Sequence, residues 1–178
     1  VDPSLYAKDI TKRLEKAYKK NPQNPDYYLF LADQAADNRQ WGDANQNFEL
    51  AYGYEPKSSE AYVRYADILK VRNPQESIRI LKLLLTENPQ SALGQRELAR
   101  TYYDNNMYRD AVEQYGKYVN NPNHFDEDEA EYAFLLFWNQ DYQKGYDYAT
   151  RLLAQNPDNY SAMRFQLMNA AQIPALAE

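Results

Sequence analysis

His124 is the only histidine in the 178 residues, and it lies in the acidic run His124-Phe125-Asp126-Glu127-Asp128-Glu129. A histidine beside carboxylates could ligate a divalent cation or act as a general base. Successive residues on a helix point in different directions, however, so a contiguous run is a poor ligand set. Carboxylates in the first turn of a helix are what the helix dipole favours, and that reading accounts for the segment without a metal. A catalytic triad would need the same histidine, with no nucleophile at a strained turn, and no glycine-rich phosphate loop is present. There is no cysteine, which removes disulfides and thiolate metal sites. No metal, cofactor or catalytic residue is therefore expected. Asn159-Tyr160-Ser161 fits the N-glycosylation acceptor pattern, but Asn159 also suits a helix cap.

Charge and hydropathy narrow the partners. The formal net charge of -6 disfavours phosphate backbones, and no nucleic acid is expected as a partner. The most basic cluster, Lys12, Arg13, Lys16, Lys19 and Lys20, falls where cations complement a helix C-terminus. No run approaches the ~18 apolar residues of a membrane helix, so no membrane insertion is expected. No signal peptide is visible, and the start at Val1-Asp2-Pro3 is compatible with a leader removed upstream. With 44% hydrophobic residues, five glycines and 18 tyrosines, the chain should be folded throughout. Its tyrosine- and asparagine-rich composition points to a soluble bacterial protein, exported or periplasmic.

The elements that must carry any site are helices. Between Tyr27 and Pro56, the residues Tyr28, Leu31, Ala32 and Ala35 keep helical spacing, and Ala44, Phe48 and Ala51 resume it after the polar break Asp37-Asn38-Arg39-Gln40. Two antiparallel helices joined by a turn follow, with Ala32 and Ala44 allowing close backbone approach. The unit recurs. Pro22, Pro56, Pro89, Pro122 and Pro157 are separated by 34, 33, 33 and 35 residues, and each should end a second helix.

This pattern resembles the tetratricopeptide repeat, whose first helix carries Trp/Leu/Gly/Tyr and whose second carries Ala/Phe/Ala/Pro. The later units repeat it as Tyr62, Tyr65, Ala66, Leu69 with Ser77, Leu81, Leu84, Pro89; as Gln95, Leu98, Ala99, Tyr102 with Ala111, Tyr115, Tyr118, Pro122; and as Glu129, Tyr132, Ala133, Leu136 with Gly145, Ala149, Leu152, Pro157. Glu129 in an apolar place and Gly145 for alanine are the weak points of the last. The resemblance implies an all-α fold, a right-handed α-solenoid, and one array over 1–178. Its parts would be a half repeat at 4–22, repeats at 25–58, 59–91, 92–125 and 126–159, and a half repeat at 160–178.

It also implies a non-catalytic scaffold that binds a protein or peptide on the concave face lined by first helices. Carried over position by position, the inward stripes are Asp26, Leu29, Asp33; Glu60, Val63, Asp67; Arg96, Arg100, Tyr103; and Ala130, Phe134, Phe137, with Arg64 and Trp138 beside them. The candidate contacts are Arg64, Asp67, Arg96, Arg100, Tyr103, Phe134, Phe137 and Trp138. A plainer reading of the arginines is that Arg96 and Arg100 pair with Asp67 across adjacent repeats. The plainer reading of the aromatics is core, because Phe134 to Trp138 is apolar nearly all round the helix. The clamp of chaperone-tail-binding members is absent, since its places hold Leu29, Asp33, Arg64, Leu93 and Glu97. Two other roles stay open: a self-associating structural fragment, and the substrate-recruiting module of an enzyme whose catalytic domain lies outside this chain.

At the C-terminal end Met163, Leu167 and Ala170 read as one more first helix, with Gln166 interrupting the stripe. Ala175 to Glu178 should begin a second helix after Pro174. Such a helix is too short to cover that stripe, so the protein is expected to continue past Glu178, and the last helix of this chain to fray or to pack against another molecule, as in a homodimer through the open array ends.

Overall fold

The computed structural model describes residues 3–54 and 59–176. Among them the regular structure is helical: α1 (Pro3–Lys20), α2 (Pro25–Asp37), α3 (Trp41–Gly53), α4 (Ser59–Arg72), α5 (Pro74–Glu87), α6 (Ala92–Asp104), α7 (Tyr108–Val119), α8 (Glu129–Trp138), α9 (Tyr142–Gln155) and α10 (Tyr160–Ala170). A single 3-10 turn, Asp126–Asp128, precedes α8. The chain forms two compact units, Val1–Ile80 and Leu81–Glu178, divided inside α5. Pro56, one of the five period-marking prolines, lies outside the described residues, as do Ala177 and Glu178.

The other four period prolines each follow an asparagine, and one turn recurs at all four. The amides of Asn24, Ser91, His124 and Asn159 donate to the carbonyls of Asn21, Asn88, Asn121 and Asn156 at 3.0–3.1 Å. The Oδ1 of Asn21, Asn121 and Asn156 also accepts from the amide two residues on, in Gln23, Asn123 and Asp158. Asparagine favours this local bond, and proline keeps it out of helical geometry, so the pair stops one helix and aims the next. The next helix is then capped by Asn24, Ser91 or Asn159, whose side chains accept from Asp26, Gly94 and Ala162.

The turns inside the pairs are also shared. Arg39, Asn106 and Gln140 have φ of 59°, 60° and 65°, the left-handed region. The following amides, of Gln40, Met107 and Asp141, reach back to Ala35, Tyr102 and Leu136 at 2.8–2.9 Å. This is a Schellman closure with a side chain where glycine is usual. Between α4 and α5 a single residue, Asn73, replaces the three-residue connection of the other pairs, and Pro74 opens α5 at the position where its missing N–H costs nothing.

Small residues line the contact within each pair. Ala32 with Ala44, Ala66 with Ser77, Ala99 with Ala111, and Ala133 with Gly145 are all buried. The Ser77 hydroxyl donates to the Ala66 carbonyl at 2.7 Å, a contact possible only when the backbones are close. Aromatic rings fill the wider space: Phe48 stacks on Tyr65 at 5.4 Å in the first unit, and Tyr115 and Tyr118 are fully buried in the second.

Three expectations change. Ala130 is not on an open face but in a core with Leu152 and Ala162. Pro174 does not start a helix: residues 171–176 form turns, with Ile173 bonded to Ala170 and Leu176 to Ile173. The buried stripe of α10 is Ala162, Phe165 and Asn169, one or two places before Met163, Leu167 and Ala170. Asn169 explains the glycine in α9. Its Nδ2 donates to the carbonyls of Ala133 and Phe165, and a Cβ on Gly145 would come within 2.3 Å of its Oδ1.

Two stability outcomes follow. Gly145→Ala, which improves helix propensity by ~1 kcal/mol, should nevertheless destabilise the second unit by about 1–3 kcal/mol through overpacking. Adding Asn169→Ala should recover part of that loss in a denaturant-melt double-mutant cycle. Equal melts for the parent and Gly145→Ala would place Asn169 elsewhere. Gln140→Gly should raise stability by about 1 kcal/mol, by relieving the left-handed residue.

Candidate binding surface

In the second unit, α6 places Arg96, Arg100 and Tyr103 at i, i+4 and i+7, and α8 places Phe134, Phe137 and Trp138 one turn apart. The two helices meet at both ends of these stripes. At one end, Arg96 Nη1 donates to Asp128 Oδ2 at 2.8 Å and its Nε to Glu97 Oε1 at 3.0 Å, while its guanidinium lies 5.4 Å over the Phe125 ring. Arg100 donates to Glu131 at 2.6 Å and reaches Glu97 at 3.4 Å. Beneath them Tyr115 donates to Glu131 at 2.8 Å and Tyr118 to Asp128 at 2.7 Å. The expected partner Asp67 instead lies 3.3 Å from Lys70 on its own helix. The carboxylates chosen are one first helix further along the chain.

The network sets its own protonation. Burial would lower the Arg100 pKa, but its hydrogen bond to Glu131 and the charges of Glu131 and Glu97 raise it on balance. Burial would raise Asp128, yet the hydrogen bonds from Arg96 and Tyr118 hold it below the ordinary carboxylate value. Tyr118 is pushed up to about 12, first by burial. These arginines are ordered, charged and neutralised.

At the other end the stripes become aromatic. Tyr103 lies 5.4 Å from Phe134 and 6.1 Å from Trp138, and Tyr108 stacks on Trp138 at 5.7 Å. Phe134 meets Phe165 of α10 at 5.2 Å, and Phe137 meets Trp138 and Tyr142. Trp138 stays 41% exposed, while Tyr103, Phe134 and Phe137 are half-buried. The cluster thus has a half-buried side of Tyr103, Phe134 and Phe137 and an exposed side at Trp138. Tyr108 and Phe165 are members that helix-stripe reasoning does not reach: one lies at the start of a second helix, the other on the displaced stripe of α10. The carboxylates had a readable signal. Arg100 to Glu131 spans 31 residues and Arg96 to Asp128 spans 32, and Asp33 to Arg64 in the first unit again spans 31.

In the first unit, Arg64 of α4 pairs with Asp33 of α2. Burial raises the Asp33 pKa, Arg64 counteracts it, and the charge of Asp37 adds to the rise. Arg64 and Asp67 therefore both sit beside carboxylate or ammonium neighbours on first helices.

His124 Nδ1 donates to the Asn121 carbonyl at 2.7 Å, and its Nε2 lies 3.4 Å from Glu129 and 3.6 Å from Asp126. Among the described residues no group of three or more His, Asp or Glu side chains is arranged to hold a metal ion, and no helix is long and apolar enough to cross a membrane.

No family model matches the chain, and no curated protein matches it. Solved structures do. The C-terminal part of a TPR repeat-containing protein from Cytophaga hutchinsonii is 16% identical with a TM-score of 0.74, covering 95% of this chain and 69% of that one. YrrB, a TPR protein with an unusual peptide-binding site, is 14% identical with a TM-score of 0.65, over 90% of this chain and 85% of its own. A thermophilic TPR protein of Thermus thermophilus is 17% identical with a TM-score of 0.58, over 96% and 94%. The fold is that of tetratricopeptide repeats.

The depressed Asp128 pKa gives a pH outcome. Unfolded, the group takes up its proton near 3.8; folded, it does so at lower pH. Its stabilisation is therefore complete above 3.8 and is lost as pH falls through the folded value. Asp128→Asn should cost about 1–3 kcal/mol at neutral pH, and urea melts of parent and variant should converge as pH falls below that range. A constant difference down to the lowest pH would mean that the carboxylate charge contributes nothing.

Proposed function

We propose that this chain, on the premise of its tetratricopeptide-repeat fold, is a non-catalytic scaffold binding a protein or peptide segment across Tyr103, Phe134, Phe137 and Trp138. The observation that carries this is Trp138, which remains 41% exposed although rings surround it. Tryptophan and tyrosine offer large contact areas at small conformational cost, and they dominate interface energetics. Arg96 and Arg100 flank the shelf, already paired with Asp128, Glu131 and Glu97, so this edge of the proposed contact does not have to be ordered on binding. The peptide-binding site of YrrB supports the ligand class. In the first unit, Arg64 and Asp67 are the corresponding proposed contacts.

A second reading, self-association, is favoured by α10, where Leu167 is 64% and Met163 40% exposed. A charge is cheap on an open face and costly in a contact. Leu167→Glu should therefore dissociate any dimer in size-exclusion chromatography with light scattering. A parent that is monomeric at every concentration removes this reading.

The main test is affinity purification from the source cell with the parent and with Trp138→Ala. Removal of a hot-spot ring costs ~2 kcal/mol or more, so recovery of the partner should fall by roughly thirtyfold with helix content unchanged. Undiminished recovery would overturn the assignment.

A further inference from the structure

A cavity of about 500 Å³ lies within the first unit, independent of the aromatic shelf. Asp37 ends α2 and Trp41 begins α3, so the left-handed turn between them sets both at one edge. The last turns of α4 supply the opposite wall with Asp67, Ile68, Val71 and Arg72. The wall is apolar and the rim acidic. Val71 is 85% exposed, and the Asp67 carboxylate, 62% exposed, keeps access to solvent beside Lys70.

The chain itself shows what such a space accepts. The Arg72 guanidinium carbon lies 5.5 Å from the centroid of the Trp41 ring, a cation over the negative face of an indole. Arg72 is exposed and comes from the end of its helix, so it can leave that position without opening the core. The charge on Asp37 is felt further along α2, where it adds to the burial that raises the Asp33 pKa against the pull of Arg64. With Arg72 withdrawn, the lining would hold two carboxylates, an indole and three aliphatic side chains.

We propose that this cavity receives an arginine or lysine side chain from a basic segment of a partner protein, which replaces Arg72 over Trp41. Its aliphatic stem lies along Ile68 and Val71, and its charge is shared between Asp37 and Asp67. Arg72 is then an internal competitor that lowers the apparent affinity by the fraction of time it occupies the ring.

The chain has two tryptophans, so Trp138→Phe leaves Trp41 as the only indole reporter. Its fluorescence is followed while titrating a capped hexapeptide of alternating arginine and serine, with peptides carrying citrulline or glutamate in place of arginine as controls. The arginine peptide should give a saturable change and the controls none. Arg72→Gln in the same background should tighten binding by about threefold or more, and Asp37→Asn with Asp67→Asn should weaken it by about fivefold or more. All three sites are exposed, and circular dichroism checks that helix content is kept; a variant losing helix is replaced by Arg72→Met or by the single asparagine changes. No saturable change with either Arg72 or Gln at that position, equal binding of the citrulline peptide, or affinity indifferent to these substitutions would overturn the proposal.

Discussion

Two helices joined by a turn can bury a full stripe only if their backbones come close. In this chain that closeness is supplied at every pair by residues no larger than alanine or serine: Ala32 and Ala44, Ala66 and Ser77, Ala99 and Ala111, Ala133 and Gly145. Close pairs leave the larger rings to fill the spaces between successive pairs, where Phe48 meets Tyr65 and Tyr115 lies beneath α8. Within each unit the first helices also meet through their side chains, α2 with α4 and α6 with α8. The side chains that meet are charged in the first unit and both charged and aromatic in the second.

The charges are used between neighbouring first helices. Asp33 with Arg64, and Arg96 and Arg100 with Asp128 and Glu131, join one first helix to the next with the sign order reversed between the two units. Exposed ion pairs are worth little, but the second network is held on two buried tyrosines and mostly shielded from water, so it fixes the geometry of α6 against α8. The rings of Tyr103 and Trp138 sit on this frame.

Much of this was legible in the sequence because it is local. Asparagine-proline turns, capping residues and the alanine places act within a few residues, and α1, α5, α7 and α9 end just before the prolines that mark them. What was not legible depends on contacts at a distance. The repeat pattern describes how a first helix meets its own second helix, so it selects Met163, Leu167 and Ala170. α10 is held instead by the preceding pair, through Ala162, Phe165 and Asn169. The partner of an arginine is likewise set by the step between repeats, 31 or 32 residues on, which no single-helix pattern contains. The same step places Ala130 in the core rather than on the open face.

Asn169 and Gly145 also bear on whether the repeats are interchangeable parts. The second helices of the other pairs carry alanine or serine at the place of Gly145, at Ala44, Ser77 and Ala111, and the asparagine amide needs the volume that those side chains occupy. α10 is therefore matched to α9 and to no other second helix of the chain. Duplicating, deleting or transposing inner pairs would preserve their alanine contacts, whereas moving α10 onto any other pair would set a buried amide against a methyl or hydroxymethyl group. The terminal helix carries its own address, and the order of the array is written into one missing side chain.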